Sequence, residues 1–202
     1  MAYGNLAERK CEVMSRILIL DGSPNAKGNT NALITCFTEG AKSSGNIVSR
    51  LNIRDMNINP CVGCLGGDSA ACPLSPCCQK DDMDQIYRGI AENDIVVFAS
   101  PIYYWNFPSQ FKAAIDRMIA IVEGNPAQHI LAGKKLMLLM CCEEAHNKRN
   151  ESGVQIFYRN FLEYYGIEGL GVHVFGGMMG ADDYKKHPEA LIGSCLLGAM
   201  VK

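Results

Sequence analysis

Ser23, Asn25, Lys27, Gly28, Asn29 and Thr30 crowd hydroxyl, amide and ammonium groups into one turn of eight residues. That chemistry suits an anion. The turn follows an apolar run, Ile17-Leu18-Ile19-Leu20, and precedes a helical pattern at Leu33, Ile34, Phe37 and Ala41. A buried strand, a tight turn and a helix open a doubly wound fold. The helix start contributes unpaired N–H groups and partial positive charge, so a phosphate fits there. The turn carries neither G-x4-G-K-S/T nor G-x-G-x-x-G, which excludes the nucleoside triphosphate and dinucleotide fingerprints. It also lacks the Cys and Arg of a low-molecular-weight phosphatase. An ordinary capped strand-to-helix turn is the competing reading.

A second group lies after another buried run, Asp94–Ala99. Ser100-Pro101 breaks that run, and Ile102, Tyr103, Tyr104, Trp105 and Asn106 follow. Ligands of open α/β sheets bind beyond the carboxyl ends of the strands. Three segments meet that condition: 23–30, 100–106 and 141–150. Aromatic surface and free backbone amides suit a flat heteroaromatic ring with a polar edge. A phosphate seat beside a flat-ring seat points to FMN. Cys142 ends the next strand near the expected ring, and His146 lies in the loop beyond it. The competing, and favoured, readings are a small buried side chain for Cys142 and a solvated surface group for His146.

Ten cysteines are many for 202 residues, and five of them fall between Cys61 and Cys78. Clustering suggests metal or redox work. Cys61, Cys64, Cys72 and Cys77 form a C-x2-C-x7-C-x4-C array, with Cys78 as an extra thiol. Four thiolates hold either an Fe–S cluster or a tetrahedral zinc. Without metal, the thiols act as a structural remnant or a reversible redox pair, Cys77 or Cys78 then reaching Cys72.

The elements that must position these groups alternate. Strands are expected at about 16–20, 47–51, 94–99, 135–140 and 170–175. Helices are expected at about 30–42, from 83 onward, from 107 to 119, from 154 to 165 and at 188–200. Residues 1–15 read as a polar arm, 57–80 as a long functional loop and 143–152 as a polar loop. Five strands alternating with five helices argue an α/β parallel sheet covered on both faces. Nothing splits the chain, so residues 1–202 form one expected domain. Hydrophobic content of 48% and charged content of 20% mark a globular chain. A net charge of −2 gives no nucleic-acid or membrane surface. No apolar run reaches membrane-span length. The N-terminus carries no apolar signal core, so a cytoplasmic protein is expected.

The segments GSPNAKGNT (22–30), CVGC (61–64), KDDM (80–83) and SPIYYWNFPSQFKAAIDR (100–117) resemble the NADPH-dependent FMN reductase family. More narrowly, they resemble its iron–sulfur flavoprotein branch. The resemblance runs over about residues 16–180. It implies a flavodoxin-like three-layer sandwich with sheet order 2-1-3-4-5, non-covalent FMN, and a cytoplasmic homodimer or homotetramer. It implies that Ser23, Asn29 and Thr30 bind the phosphate and that Pro101 to Asn106 hold the isoalloxazine. The implied activity passes electrons from NAD(P)H through the flavin to a small acceptor. The alternative is an electron carrier that docks to redox partners, with a [4Fe-4S] cluster in the cysteine loop. Two departures stand out. Asn25 occupies a position where the family often has Arg, and Gly67 replaces the third cysteine of the branch's compact motif.

Overall fold

The computed structural model describes residues 14–64, 77–121, 129–145 and 148–202. The arm up to residue 13, the middle of the cysteine loop with Cys72, residues 122–128 and His146 lie outside them.

Five strands form one parallel sheet: β1 (Arg16–Asp21), β2 (Ile47–Asn52), β3 (Ile95–Pro101), β4 (Lys135–Cys141) and β5 (Glu168–Phe175). Their order is β2-β1-β3-β4-β5. β1, β3 and β4 are apolar almost throughout because both of their faces are covered. Alternate residues divide between two cores. Ile17, Ile19, Val97 and Leu139 pack with Leu33, Ile34 and Phe37 of α1 (Asn29–Ser43) and Ala190 of α5 (Pro188–Met200). Leu18, Leu20, Phe98 and Leu138 pack with α2 (Met83–Glu92), α3 (Ser109–Asp116) and α4 (Lys148–Tyr165). α1 and α5 approach at backbone distance. A Cβ on Gly40 would lie 1.9 Å from the Cys195 carbonyl oxygen, and one on Gly198 2.0 Å from that of Phe37.

Two helices depart from the sequence reading. α3 is short and tightens into a 3-10 turn, Arg117–Ile121. Its start is set by Pro108, which is extended at the N-cap and keeps Phe107 outside the helix. α4 begins at Lys148, so it takes in part of the expected 143–152 loop. The polar residues there form its first turn, where Glu151 suits the positive helix start.

Candidate functional site

Asp21 anchors the polar turn. It closes β1, is fully buried, and receives Arg50 at 2.7 Å and Arg54 at 2.6 Å. Its other oxygen accepts the Ser23 N–H at 2.9 Å. The Ser23 hydroxyl bonds both the N–H and the carbonyl of Asn25, and the Asn25 side-chain oxygen accepts the Lys27 N–H. These local bonds fold residues 23–27 into a cup. α1 starts directly behind it. Gly28 is its N-cap, with no side-chain cap and no acidic residue in the first turn. The positive end of α1 therefore faces the cup.

The aromatic turn sits across the opening. Tyr103 and Asn106 exchange both backbone hydrogen bonds, at 2.8 and 3.0 Å. Tyr104 and Trp105 between them both have positive φ, 46° and 62°. Two such residues make a mirror-image hairpin turn that normally takes Asn or Gly. Holding two aromatics there costs of order 1–3 kcal/mol each. The packed surroundings impose it: α4 runs beneath the turn so closely that a Cβ on Gly153 would lie 2.1 Å from the Trp105 carbonyl oxygen. Among the described residues the Tyr104 and Trp105 N–H groups have no acceptor, while those of Ile102 and Tyr103 do. Tyr103, Tyr104 and Trp105 are exposed.

Two adjoining cavities join the turns. One, of about 400 Å³, is lined by Ser23, Asn25, Gly28 and Asn29 on one side and Pro101, Ile102, Tyr103 and Cys142 on the other. The second, of about 470 Å³, runs from Ile102, Tyr103 and Cys142 out past Tyr104 and Trp105. Glu143 lines both.

Three expected residues stand apart from these cavities. Thr30 is buried, and its hydroxyl meets the Cys141 sulfur at 3.1 Å. The Lys27 side chain is exposed outside the cup. Asn106 turns its side-chain oxygen to the Phe107 N–H. Asn29 lines the first cavity, but its carboxamide is engaged. It donates to the Met178 and Gly180 carbonyls and accepts the Tyr184 N–H, tying the loop after β5 to α1. That loop brings Met178, Met179 and Ala181 to the cavity. The reading from sequence missed them, although the Gly176-Gly177 turn at a strand's carboxyl end marked the place. It also missed Asp21, Arg50 and Arg54.

Burial pushes the Cys141 thiol up to about 11, against the opposing hydrogen bond from Thr30. Burial, then the nearby Glu151 and Glu144 carboxylates, pushes Cys142 up as well. Both therefore stay protonated at neutral pH and line the cavity as weakly polar groups.

The cysteine loop is fastened elsewhere. Arg117, at the end of α3, is 1% exposed. Its guanidinium bonds Asp81, the Asn59 carbonyl at 3.2 Å, the Cys77 sulfur at 3.4 Å and the Gln79 carbonyl at 3.5 Å. Cys77, one of the four expected metal ligands, is thus buried with its sulfur on the guanidinium. The buried cation attracts its polarisable sulfur inward. Cys78 instead is exposed, and its sulfur lies 4.0 Å from that of Cys64. Among the described residues no three His, Cys, Asp or Glu side chains gather as a metal site.

A polar cup and an aromatic turn at the carboxyl rim of a 2-1-3-4-5 sheet define a flavodoxin-like protein built for a mononucleotide. Residues 15–163 match the NADPH-dependent FMN reductase family, and the chain belongs to that family. Its class is accordingly that of an FMN-binding, NAD(P)H-dependent oxidoreductase. An iron–sulfur flavoprotein of Archaeoglobus fulgidus is 37% identical over 171 residues, covering 82% of this chain and 72% of its own. An iron–sulfur flavoprotein of Methanosarcina thermophila is 31% identical over 164 residues, 81% of each chain. Among solved structures, an NAD(P)H:quinone oxidoreductase from Methanothermobacter marburgensis is 17% identical, with a TM-score of 0.74 over 94% of this chain and 100% of its own. That likeness speaks for the fold. Among the described residues no helix is long and apolar enough to cross a membrane.

Proposed function

We propose that the cup at 23–28 and the start of α1 seat the FMN phosphate, and that the turn at 102–105 seats the isoalloxazine. One observation carries this: the two cavities meet at Ile102, Tyr103, Cys142 and Glu143 to make one continuous cleft. The residues fit the group. A bare Gly28 cap leaves the helix N–H groups to an anion. Arg50 and Arg54 share the single buried carboxylate of Asp21 at the base of the cup. That supplies positive charge where Asn25 replaces the family's Arg; Asp55 at 3.7 Å is exposed and offsets it mainly through solvent. The Tyr104 and Trp105 N–H groups are left without an acceptor among the described residues, and both residues line the second cavity.

FMN held there would supply the hydride and electron chemistry between a reduced nicotinamide and an acceptor. The protein's residues hold it, orient it and limit access. Ser23 and the α1 N–H groups hold the phosphate end, and Ile102 to Trp105 form one wall of the ring seat. Cys141 and Cys142 remain thiols and take no proton. The acceptor we assign is a small quinone-like ring, supported by the open second cavity and by the activity in the name of the structural neighbour. Purified protein titrated with FMN should quench flavin fluorescence stoichiometrically and then oxidise NADH or NADPH with a quinone present. Failure to bind added FMN would end this reading.

The relatives' names favour a second reading, a cluster-bearing electron carrier. The described sulfurs do not fit a cluster as they stand, because the Cys77 sulfur meets Arg117 while those of Cys64 and Cys78 meet each other. No step is derived through one. Iron and sulfide assay of anaerobically prepared protein separates the readings.

We also place the chain in the cytoplasm as a homodimer or homotetramer, as the family resemblance implies. Ile192, Leu196 and Met200 form an exposed apolar stripe on α5 that supports self-association. Light scattering should give a mass of two or four chains; a monomer at micromolar concentration overturns this assignment.

A further inference from the structure

Cys64 and Cys78 bracket the cysteine loop, and their sulfurs are 4.0 Å apart. Cys78 is exposed and Cys64 half-buried, so oxidants reach at least one of them. Two features make this pair distinct from the other thiols of the loop. Cys77, its immediate neighbour, is buried with its sulfur 3.4 Å from the Arg117 guanidinium. Adjacent side chains on an extended or bent segment point to opposite sides, so fixing Cys77 inward throws Cys78 outward. The roots of the loop are also pinned. Arg117 holds the carbonyls of Asn59 and Gln79, and Asp81 accepts the Asn59 N–H at 3.0 Å. The segments that carry Cys64 and Cys78 are thus anchored at their roots by Arg117 and Asp81.

We propose that Cys64 and Cys78 form a redox-active dithiol that closes to a disulfide when the protein meets a peroxide. The thiolate of one attacks a peroxide oxygen, breaking the O–O bond, and becomes a sulfenic acid as water leaves. The thiolate of the other attacks that sulfur; the S–S bond forms, the S–O bond breaks, and a second water leaves. The two sulfurs together lose two electrons and the peroxide gains them. A small-molecule thiol reverses the step by exchange. Closure links Cys64 covalently to Cys78, the immediate neighbour of the Cys77 that Arg117 holds. The proposal is independent of the flavin site, so failure of one leaves the other standing.

The test uses full-length protein purified without oxygen, assayed for iron and zinc, and then treated with stoichiometric hydrogen peroxide. Peptide mapping without reductant should show one linkage, Cys64 to Cys78, lighter by two hydrogens and reversed by dithiothreitol. C64S and C78S should each slow the loss of paired thiols by roughly tenfold or more, because the second thiol acts as a neighbour in the same molecule. C77S should leave the linkage in place. A predominant bond through Cys61, Cys72 or Cys77 would overturn the proposal, as would overoxidised cysteines without any linkage. Metal bound in the anaerobic protein and lost in both C64S and C78S would overturn it too.

Discussion

Arg117→Ala lowers the unfolding free energy by about 3–5 kcal/mol, among the largest losses expected from a single side chain here. The Arg117 and Asp81 side chains are each 1% exposed. Removing the guanidinium leaves the Asp81 carboxylate buried without its counter-charge and strips a donor from the Asn59 and Gln79 carbonyls. It also frees Cys77. Burial by itself would raise the Asp81 pKa, but hydrogen bonds from Arg117 and from the Asn59 and Met83 backbone outweigh it and hold the carboxyl below its ordinary range. A depressed carboxylate stabilises the folded state fully above its unfolded value of about 3.9. That contribution is lost as pH falls through the lower folded value. Urea unfolding at neutral pH should therefore show the loss in R117A. The acid end of the wild-type stability curve should be steeper than that of R117A, in which the pair no longer exists to break. A neutral-pH change under about 1 kcal/mol would show that Asp81 finds water or another donor instead. Arg117→Lys keeps the charge but not the planar fork, and it should fall between the two because one ammonium cannot reach all four acceptors.

Gly153→Ala should weaken FMN binding by at least roughly tenfold, about 1.4 kcal/mol, while the fold persists. The new methyl would stand 2.1 Å from the Trp105 carbonyl oxygen, 3.1 Å from its carbonyl carbon and 3.2 Å from its Cβ. Backbone, not a flexible tip, must move. The turn at Tyr104-Trp105 already holds two positive-φ residues, so it has no relaxed conformation nearby to absorb the shift. Within α4 itself alanine is the better helix former by about 1 kcal/mol, which offsets part of the local strain. Stability and binding should thus part company. Flavin fluorescence titration reads the affinity and thermal unfolding reads the fold. Unchanged affinity would mean that the ring seat does not depend on the 104–105 turn.

Much of this site was legible in the chain because it is built from contiguous residues. The cup at 23–28 is closed by bonds between residues two apart, such as Ser23 to Asn25 and Asn25 to Lys27. The aromatic turn likewise pairs Tyr103 with Asn106. The parallel sheet followed from buried runs alternating with amphipathic helices, since such a sheet demands both, while its order came only with the family resemblance. Side chains whose partners lie far along the chain could not be read this way. Asn29 resembles a phosphate ligand until Met178, 149 residues away, claims its carboxamide. Cys77 resembles a metal ligand until Arg117, 40 residues on, turns it inward and leaves Cys78 beside Cys64.

The sequence by itself determined the strands, the two turns and the mononucleotide chemistry they suit, because local spacing and hydrophobic period act within a few residues. Only the tertiary structure decided which cations stand behind the cup, which asparagine and threonine are used internally, and which cysteines meet. Those choices depend on burial: a polar group removed from water must take whatever partner the packing of distant segments brings to it.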